Sequence, residues 1–271
     1  MIALLVAVAA ADSLTVLFTD ARYAEMTHRV AAATHRFGGA THVVALGCPG
    51  AECDDCVPVR ADESYFELIG HRLAYVARLA RAPGAYTGLF VLDSDIMLYR
   101  NVAARAERMG ADFVFQREQP CAEAHCVNGG VYWLRTRDQN VLSVLDRALE
   151  LMRTLRLPDQ DALQLALADQ PRVAYLPADT HPNGFVHAAA TLVGDGLRAA
   201  RVHLVHANWC ADKTDQLRRL AAGRGEWLPS PADTNASAVC ELLHALDAPN
   251  LATALNCTGA RCGALMRWRC P

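Results

Sequence analysis

Two aspartates one residue apart are the first residues in this chain whose types and spacing suggest chemistry. In Gly88-Leu89-Phe90-Val91-Leu92-Asp93-Ser94-Asp95-Ile96-Met97-Leu98, a short apolar run bounded by glycine leads into Asp93 and Asp95, and apolar residues resume at once. So short a run reads as a strand buried on both faces, which puts the carboxylates at its C-terminal end. Open α/β sheets bind ligands at that edge. Two carboxylates this close repel unless something positive lies between them, and a hard divalent cation is the simplest answer. A cation there is suited to neutralising a diphosphate, with Asp95 as direct ligand and Asp93 on the metal or on a ribose hydroxyl. An acidic turn between a strand and a loop fits the same residues.

Three further groups lie downstream. Asn128-Gly129-Gly130 opens a predicted strand over 127–135. Its glycines permit close backbone approach by a ligand, or merely a bulge. Asp159-Gln160-Asp161 follows Pro158 at the start of a helix. Acidic residues in a first turn complement the helix dipole and cap amides, so a purely structural role is open for them. A strand over 201–206 delivers His206, and then Asn208 and Trp209, to another strand end. A surface histidine closing a strand is the plain alternative there.

The elements that must position these residues are legible from pattern. Leu14–Phe18 is a strand, a helix follows to about Arg36 and stops at Gly38-Gly39, and His42–Leu46 is the next strand. Strand, helix, strand is the unit of a parallel sheet. No Gly-x-Gly-x-x-Gly turn follows the first strand and no Walker pattern occurs, which argues against a dinucleotide or P-loop fold. Residues 48–60 read as a cysteine-bearing loop. A helix is predicted over about 63–81, with Tyr65, Ile69, Leu73, Val76 and Ala80 forming an apolar stripe and Arg72 off it. Next come a short helix over 101–109, a strand over 112–115, a helix over about 137–155 and a strand over 172–176. A turn at 181–185 and a late helix near 238–246 complete the set. The fold class is α/β, a mixed, mostly parallel sheet flanked by helices.

Composition narrows the setting. With 271 residues and 52% hydrophobic content the chain can bury a sizeable core. A net charge of -3 and the lack of a basic, aromatic-studded patch argue against nucleic acid as a partner. Residues 2–11 are an apolar run too short to span a bilayer, read as a signal peptide, an anchor remnant or a helix cap on the fold. There are 10 cysteines, several closely spaced, and sequons at Asn235 and Asn256. Together these favour an oxidising, secretory compartment. Zinc at Cys48, Cys53 and Cys56 is the competing reading, weakened because no second close pair stands at zinc-ribbon distance. The organisation expected is a signal or anchor segment over 1–12, a catalytic domain over 13–228 and a cysteine-rich extension over 229–271.

Taken in order, Asp-Ser-Asp, Asn-Gly-Gly-Val-Tyr-Trp-Leu-Arg, Asp-Gln-Asp and His-Ala-Asn-Trp resemble the nucleotide-diphospho-sugar transferase family of plant and algal glycosyltransferases over roughly 14–220. The resemblance implies a GT-A-type, Rossmann-like fold and transfer from a UDP-sugar to a hydroxyl of a glycan or glycoprotein, with anomeric configuration retained. It also implies manganese, or magnesium, on Asp93, Asp95 and His206, and an imidazole ligand suits manganese better. It places Thr19, Asp20, Arg72, Asp93, Ser94, Asn128, Gly129, Asn208 and Lys213 around the donor, and Asp159, Gln160 and Asp161 beside the sugar as the catalytic candidates. Arg72 would touch phosphate; a solvated helix face is the other reading. The chain departs from the family at Cys210-Ala211-Asp212, where a glycine is usual before the lysine. The setting implied is the Golgi lumen, with membrane attachment only through an N-terminal anchor.

Two other readings are carried. An apolar strand ending in Asp-x-Asp also opens haloacid-dehalogenase-like phosphatases, but Ile96-Met97-Leu98 replaces the residues that family wants next. A non-catalytic, glycan-binding descendant of the fold is the third.

Overall fold

A computed structural model describes residues 13–20, 22–47, 53–60, 62–84, 86–118, 125–168, 172–177, 180–184 and 202–208. Residues 1–12, Trp209, Lys213, the helix expected near 238–246, both sequons and the extension over 229–271 lie outside them. So do Cys48, Cys121 and every cysteine from Cys210 onward.

The elements in chain order are β1 (Ser13–Thr19), α1 (Ala24–Arg36), β2 (Ala40–Leu46), β3 (Asp55–Val57), α2 (Tyr65–Arg81), β4 (Gly88–Leu92), β5 (Ile96–Leu98) and α3 (Ala103–Arg108). They continue with β6 (Phe113–Arg117), β7 (Val127–Arg135), α4 (Gln139–Leu155), α5 (Asp159–Ala166), β8 (Val173–Leu176) and β9 (Leu204–His206). Seven strands form one sheet in the order β3-β2-β1-β4-β7-β6-β8. β1 runs parallel to β2 and β4, and β6 parallel to β8; β7 alone is antiparallel to both its neighbours. This is the mostly parallel, helix-flanked α/β sheet that the pattern predicts.

Alternation along the strands feeds two cores. Leu89 and Val91 of β4 pack with Leu73 and Val76 of α2, Val141 and Leu145 of α4 and Leu163 of α5. Phe90 and Leu92 face the other way, with Val30 of α1, Ala106 of α3, Ile96, Leu98 and Leu204. Each such side chain contributes ~1.5–3 kcal/mol on burial, so β4 is anchored from both faces and its C-terminal end is a fixed point. Ser64 caps α2 through a box with Glu67, whose carboxylate accepts the Ser64 N–H at 2.6 Å. Asp138 caps α4 by accepting from Asn140 N at 2.9 Å. These caps start both helices two residues later than the predicted ranges over 63–81 and 137–155. Gly38, at φ 78°, takes the left-handed turn that ends α1, as its place after the helix predicts.

Two expectations change. Within the segment read as a loop over 48–60, Asp55–Val57 is an edge strand parallel to β2. Three residues are too few to show a period, and a tertiary contact holds them: the Tyr75 hydroxyl donates to Asp55 Oδ2 at 2.6 Å. On the α2 stripe, Ile69, Leu73, Val76 and Ala80 are buried but Tyr65 is 72% exposed. Periodicity marks a face, not how far along it the core extends. No helix among the described residues is long and apolar enough to cross a membrane.

Candidate active site

β4 ends at Leu92, and the antiparallel β4–β7 ladder continues one step further, where Asp93 N donates to Gly130 O at 2.7 Å. The chain then turns through Ser94 and Asp95 into β5. β5 and β9 form a separate antiparallel ribbon in which Ile96 is paired with His206, and Ala207 N donates to Asp95 O at 2.8 Å. This backbone pairing sets His206 beside the acidic turn. Its Nε2 lies 3.2 Å from Asp95 Oδ1 and 3.7 Å from Asp93 Oδ2. One ligand atom from each of the three residues falls within 4.8 Å of the others. Asp95 and His206 are buried, and Asp93 is half-exposed at the mouth.

Burial alone would lower the pKa of the His206 imidazole, but the Asp95 carboxylate, with Asp93 and Glu118 behind it, raises it above the ordinary value. The cluster is an oxygen, oxygen and nitrogen set suited to a divalent cation. Gly130 supports that fit. A Cβ there would stand 2.1 Å from Asp93 Oδ2 and 2.9 Å from His206 Cε1, so the missing side chain is what leaves room for the cluster. Both readings of the glycine pair leave a mark: at Gly130 the close approach is by the Asp93 and His206 side chains, and the β6–β7 register shifts opposite the pair, between Phe115 and Arg117.

Arg72 reaches the same turn from α2. Its guanidinium donates to Asp93 Oδ1 and to the Gly129 carbonyl, and its Nε is 4.0 Å from Asp159 Oδ2. Burial disfavours its charge; Asp93 and Asp159 more than compensate and hold it protonated. Arg72 is therefore an inward-facing member of the site and not a solvated helix residue.

The first turn of α5 packs on Gly129. Gln160 Oε1 accepts the Gly129 N–H at 3.0 Å, and Asp159 Oδ1 accepts the Gln160 N–H at 2.8 Å. A Cβ on Gly129 would sit 3.2 Å from Gln160 Cβ. Burial raises the Asp159 pKa, and Arg72 opposes that rise. Asp159 thus bonds its own helix terminus and faces the site at once. Asp161, two residues on, points elsewhere and is exposed, so the structure does not bring it to the cluster.

The remaining candidates line the same sheet edge. Asn128 is buried; its Oδ1 accepts Gly130 N–H at 2.9 Å and its Nδ2 donates to Glu118. Asn208 Oδ1 accepts Gly184 N–H at 2.8 Å, and its Nδ2 donates to Glu118 Oε2 at 3.3 Å. Ser94 is half-buried between the aspartates. Leu17 pairs with Leu92, so Thr19 ends β1 level with the acidic turn. Asp20 follows it, its carboxylate engaged by the Arg22 guanidinium at 2.7 Å and the Arg22 N–H at 2.8 Å. Sequence reasoning missed Gln116 and Glu118. The available signal was a polar residue, Gln116, ending the buried run Phe113-Val114-Phe115.

Elsewhere, Cys53 is a free, exposed thiol, whereas Cys56 and Cys126 are disulfide-bonded.

Residues 59–220 match the model of a family described as nucleotide-diphospho-sugar transferase. No curated protein sequence matches the chain. The fold is similar to that of the galactosyltransferase LgtC, solved with donor and acceptor sugar analogues. The TM-score is 0.52 at 14% identity, covering 77% of this chain and 95% of that one. It is also similar to a glycosyltransferase involved in glycosylation of the major capsid of PBCV-1, with a TM-score of 0.51 at 13% identity, covering 77% and 99%. A third likeness is to the glycosyltransferase GlyE of Streptococcus pneumoniae TIGR4, with a TM-score of 0.50 at 14% identity. That match takes in 72% of this chain but spans only about half, 54%, of the streptococcal one. At these identities the likenesses establish the fold.

Proposed function

The chain belongs to the nucleotide-diphospho-sugar transferase family and is a glycosyltransferase, and on that premise we propose that it transfers a sugar from a UDP-sugar to a hydroxyl of a glycan or glycoprotein, with retention and with Mn2+, or Mg2+, on Asp93, Asp95 and His206. The observation that carries this reading is the convergence of those three side chains at the end of β4, from segments far apart in sequence. Family and fold together set aside the phosphatase reading.

A bound divalent cation would act as a Lewis acid toward the charge developing on the leaving diphosphate. The chain's own residues account for the rest. Arg72, held charged by two carboxylates, is the permanent cation of the site and the contact for a donor phosphate. Thr19, Asp20, Ser94, Asn128 and Asn208 line the edge that would receive the nucleoside and sugar, with Lys213 beyond the described residues. Gln160 has its amide oxygen fixed by Gly129 N–H, and the second lone pair would face an electron-poor anomeric carbon. In a front-face transfer the bond from the anomeric carbon to the phosphate oxygen breaks as the bond to the acceptor oxygen forms. The acceptor's proton passes to that departing phosphate oxygen. Asp159, engaged by Gln160 N–H and facing Arg72, is better suited to positioning than to the nucleophilic role of a double displacement. The disulfides at Cys56 and Cys126 support a secretory, Golgi-type lumen.

The test is a screen of UDP-sugars for metal-dependent hydrolysis, with calorimetry of UDP in the presence and absence of Mn2+. Hydrolysis of one donor and metal-dependent UDP binding are expected. Absence of any metal-dependent UDP binding overturns the reading and favours a non-catalytic, glycan-binding role.

A further inference from the structure

Gln116 is 1% exposed, closing a run of buried apolar residues on β6. A buried amide left with one end unbonded loses its hydration without replacement. Here both ends are bonded. Nε2 donates to the backbone carbonyl of His181 at 3.0 Å, and Oε1 lies 3.1 Å from His206 Nδ1.

Taken together, these contacts dictate where a proton sits. A backbone carbonyl can only accept, so it takes the NH2 end of the amide. The oxygen end is left for the imidazole, and an amide oxygen can also only accept. Nδ1 of His206 must therefore be the donor, which leaves Nε2 turned to Asp95 and Asp93. The anchor is itself secured. His181 N donates to Pro177 O at 2.9 Å, and His203 N donates to Thr180 O at 2.7 Å. The turn that orients Gln116 is thus tied to the strand carrying His206.

Resting on the metal reading given above, we propose that Gln116 is a positioning residue: it holds His206 in the Nδ1–H form and so presents Nε2 to a divalent cation. A neutral imidazole can carry its proton on either nitrogen, and the hydrogen bond to one nitrogen selects which is free to ligate.

Two variants of the full chain test this. Gln116→Met keeps the shape and loses both hydrogen bonds. Gln116→Glu loses the donor to His181 but keeps an acceptor for Nδ1–H. Imidazole 15N shifts of metal-free wild type should show His206 protonated on Nδ1 wherever the ring is neutral, and Gln116→Met should lose that preference. Calorimetry with Mn2+ alone should show about 10–100-fold weaker binding for Gln116→Met, with Gln116→Glu within a few-fold of wild type. A merely structural role would lower both variants together. That result, or a neutral wild-type His206 protonated on Nε2 alone, overturns the proposal. A wild type with the Nδ1–H form that takes up no Mn2+ defeats the metal reading and leaves the orientation by Gln116 standing.

Discussion

Ile96 and His206 are cross-strand partners in the β5–β9 ribbon, and that backbone pairing, more than any attraction between side chains, sets the imidazole against Asp95. Ile96 and Leu204 are buried in the core under β4, so hydrophobic burial holds the ribbon in register. A site that brings two carboxylates together is costly on its own, and here the surrounding core sustains it.

Asp95 has little to do with that core, which makes it the cleanest probe of the cluster. Asp95→Ala should weaken Mn2+ binding by more than about 100-fold, beyond what loss of an outer partner costs, and should abolish metal-dependent donor hydrolysis. Near-UV circular dichroism should stay native. Unchanged hydrolysis would defeat the metal assignment.

The two adjacent glycines should behave differently. A Cβ at Gly130 meets Asp93 Oδ2 at 2.1 Å, whereas at Gly129 the nearest atom is Gln160 Cβ at 3.2 Å. Gly130→Ala should therefore displace the aspartate, cost ~1–3 kcal/mol in urea unfolding and remove metal-dependent UDP binding. Gly129→Ala asks for a shift of only a few tenths of an ångström and should retain that binding. Equal damage from both would mean that the space at Gly130 is not what the cluster needs.

Gln160 is predicted to act on the sugar rather than the metal. Gln160→Ala should lower kcat by about 10–100-fold, a loss of ~1.4–2.7 kcal/mol of transition-state stabilisation, with Mn2+ affinity within a few-fold of wild type. Near-normal turnover would remove Gln160 from the chemistry.

His181 predicts a pH dependence of stability. It is 1% exposed, and burial, with the charges of His203 and Arg105 adding to it, pushes its pKa down from 6.5 to about 3. Between those values the unfolded chain binds the proton and the folded chain does not. Stability attributable to this ring is therefore complete above pH 6.5 and falls as the pH drops from there toward 3. At about pH 5 the loss is ~2 kcal/mol, readable as a lower Tm than at about pH 7.5. His181→Gln should narrow the gap between the two melting temperatures, and an undiminished gap would assign the acid sensitivity to other groups.

The sequence by itself determined the strand-helix-strand start, the buried strand running into Asp93 and Asp95, the cap at Gly38 and the order of the four motifs. Those signals are local: period, punctuation and residue type within a few positions. Local pattern marked His206 only as a strand-end residue, and its meeting with Asp93 and Asp95 was implied by the resemblance of the ordered motifs. Only the tertiary structure produced the pairing behind it, because Ile96–Leu98 and Leu204–His206 are three-residue strands, too short to be read from period and distant along the chain, that meet over a shared core. For the same reason Arg72, correctly read as off the apolar stripe, turned out to be buried between Asp93 and Asp159 and not in water. Gln116 and Glu118, the partners behind His206, Asn128 and Asn208, carried no spacing signal at all. Their role exists only once β6 lies beside β7 with its end level with the acidic turn, a register set by packing and not by any neighbour in the chain.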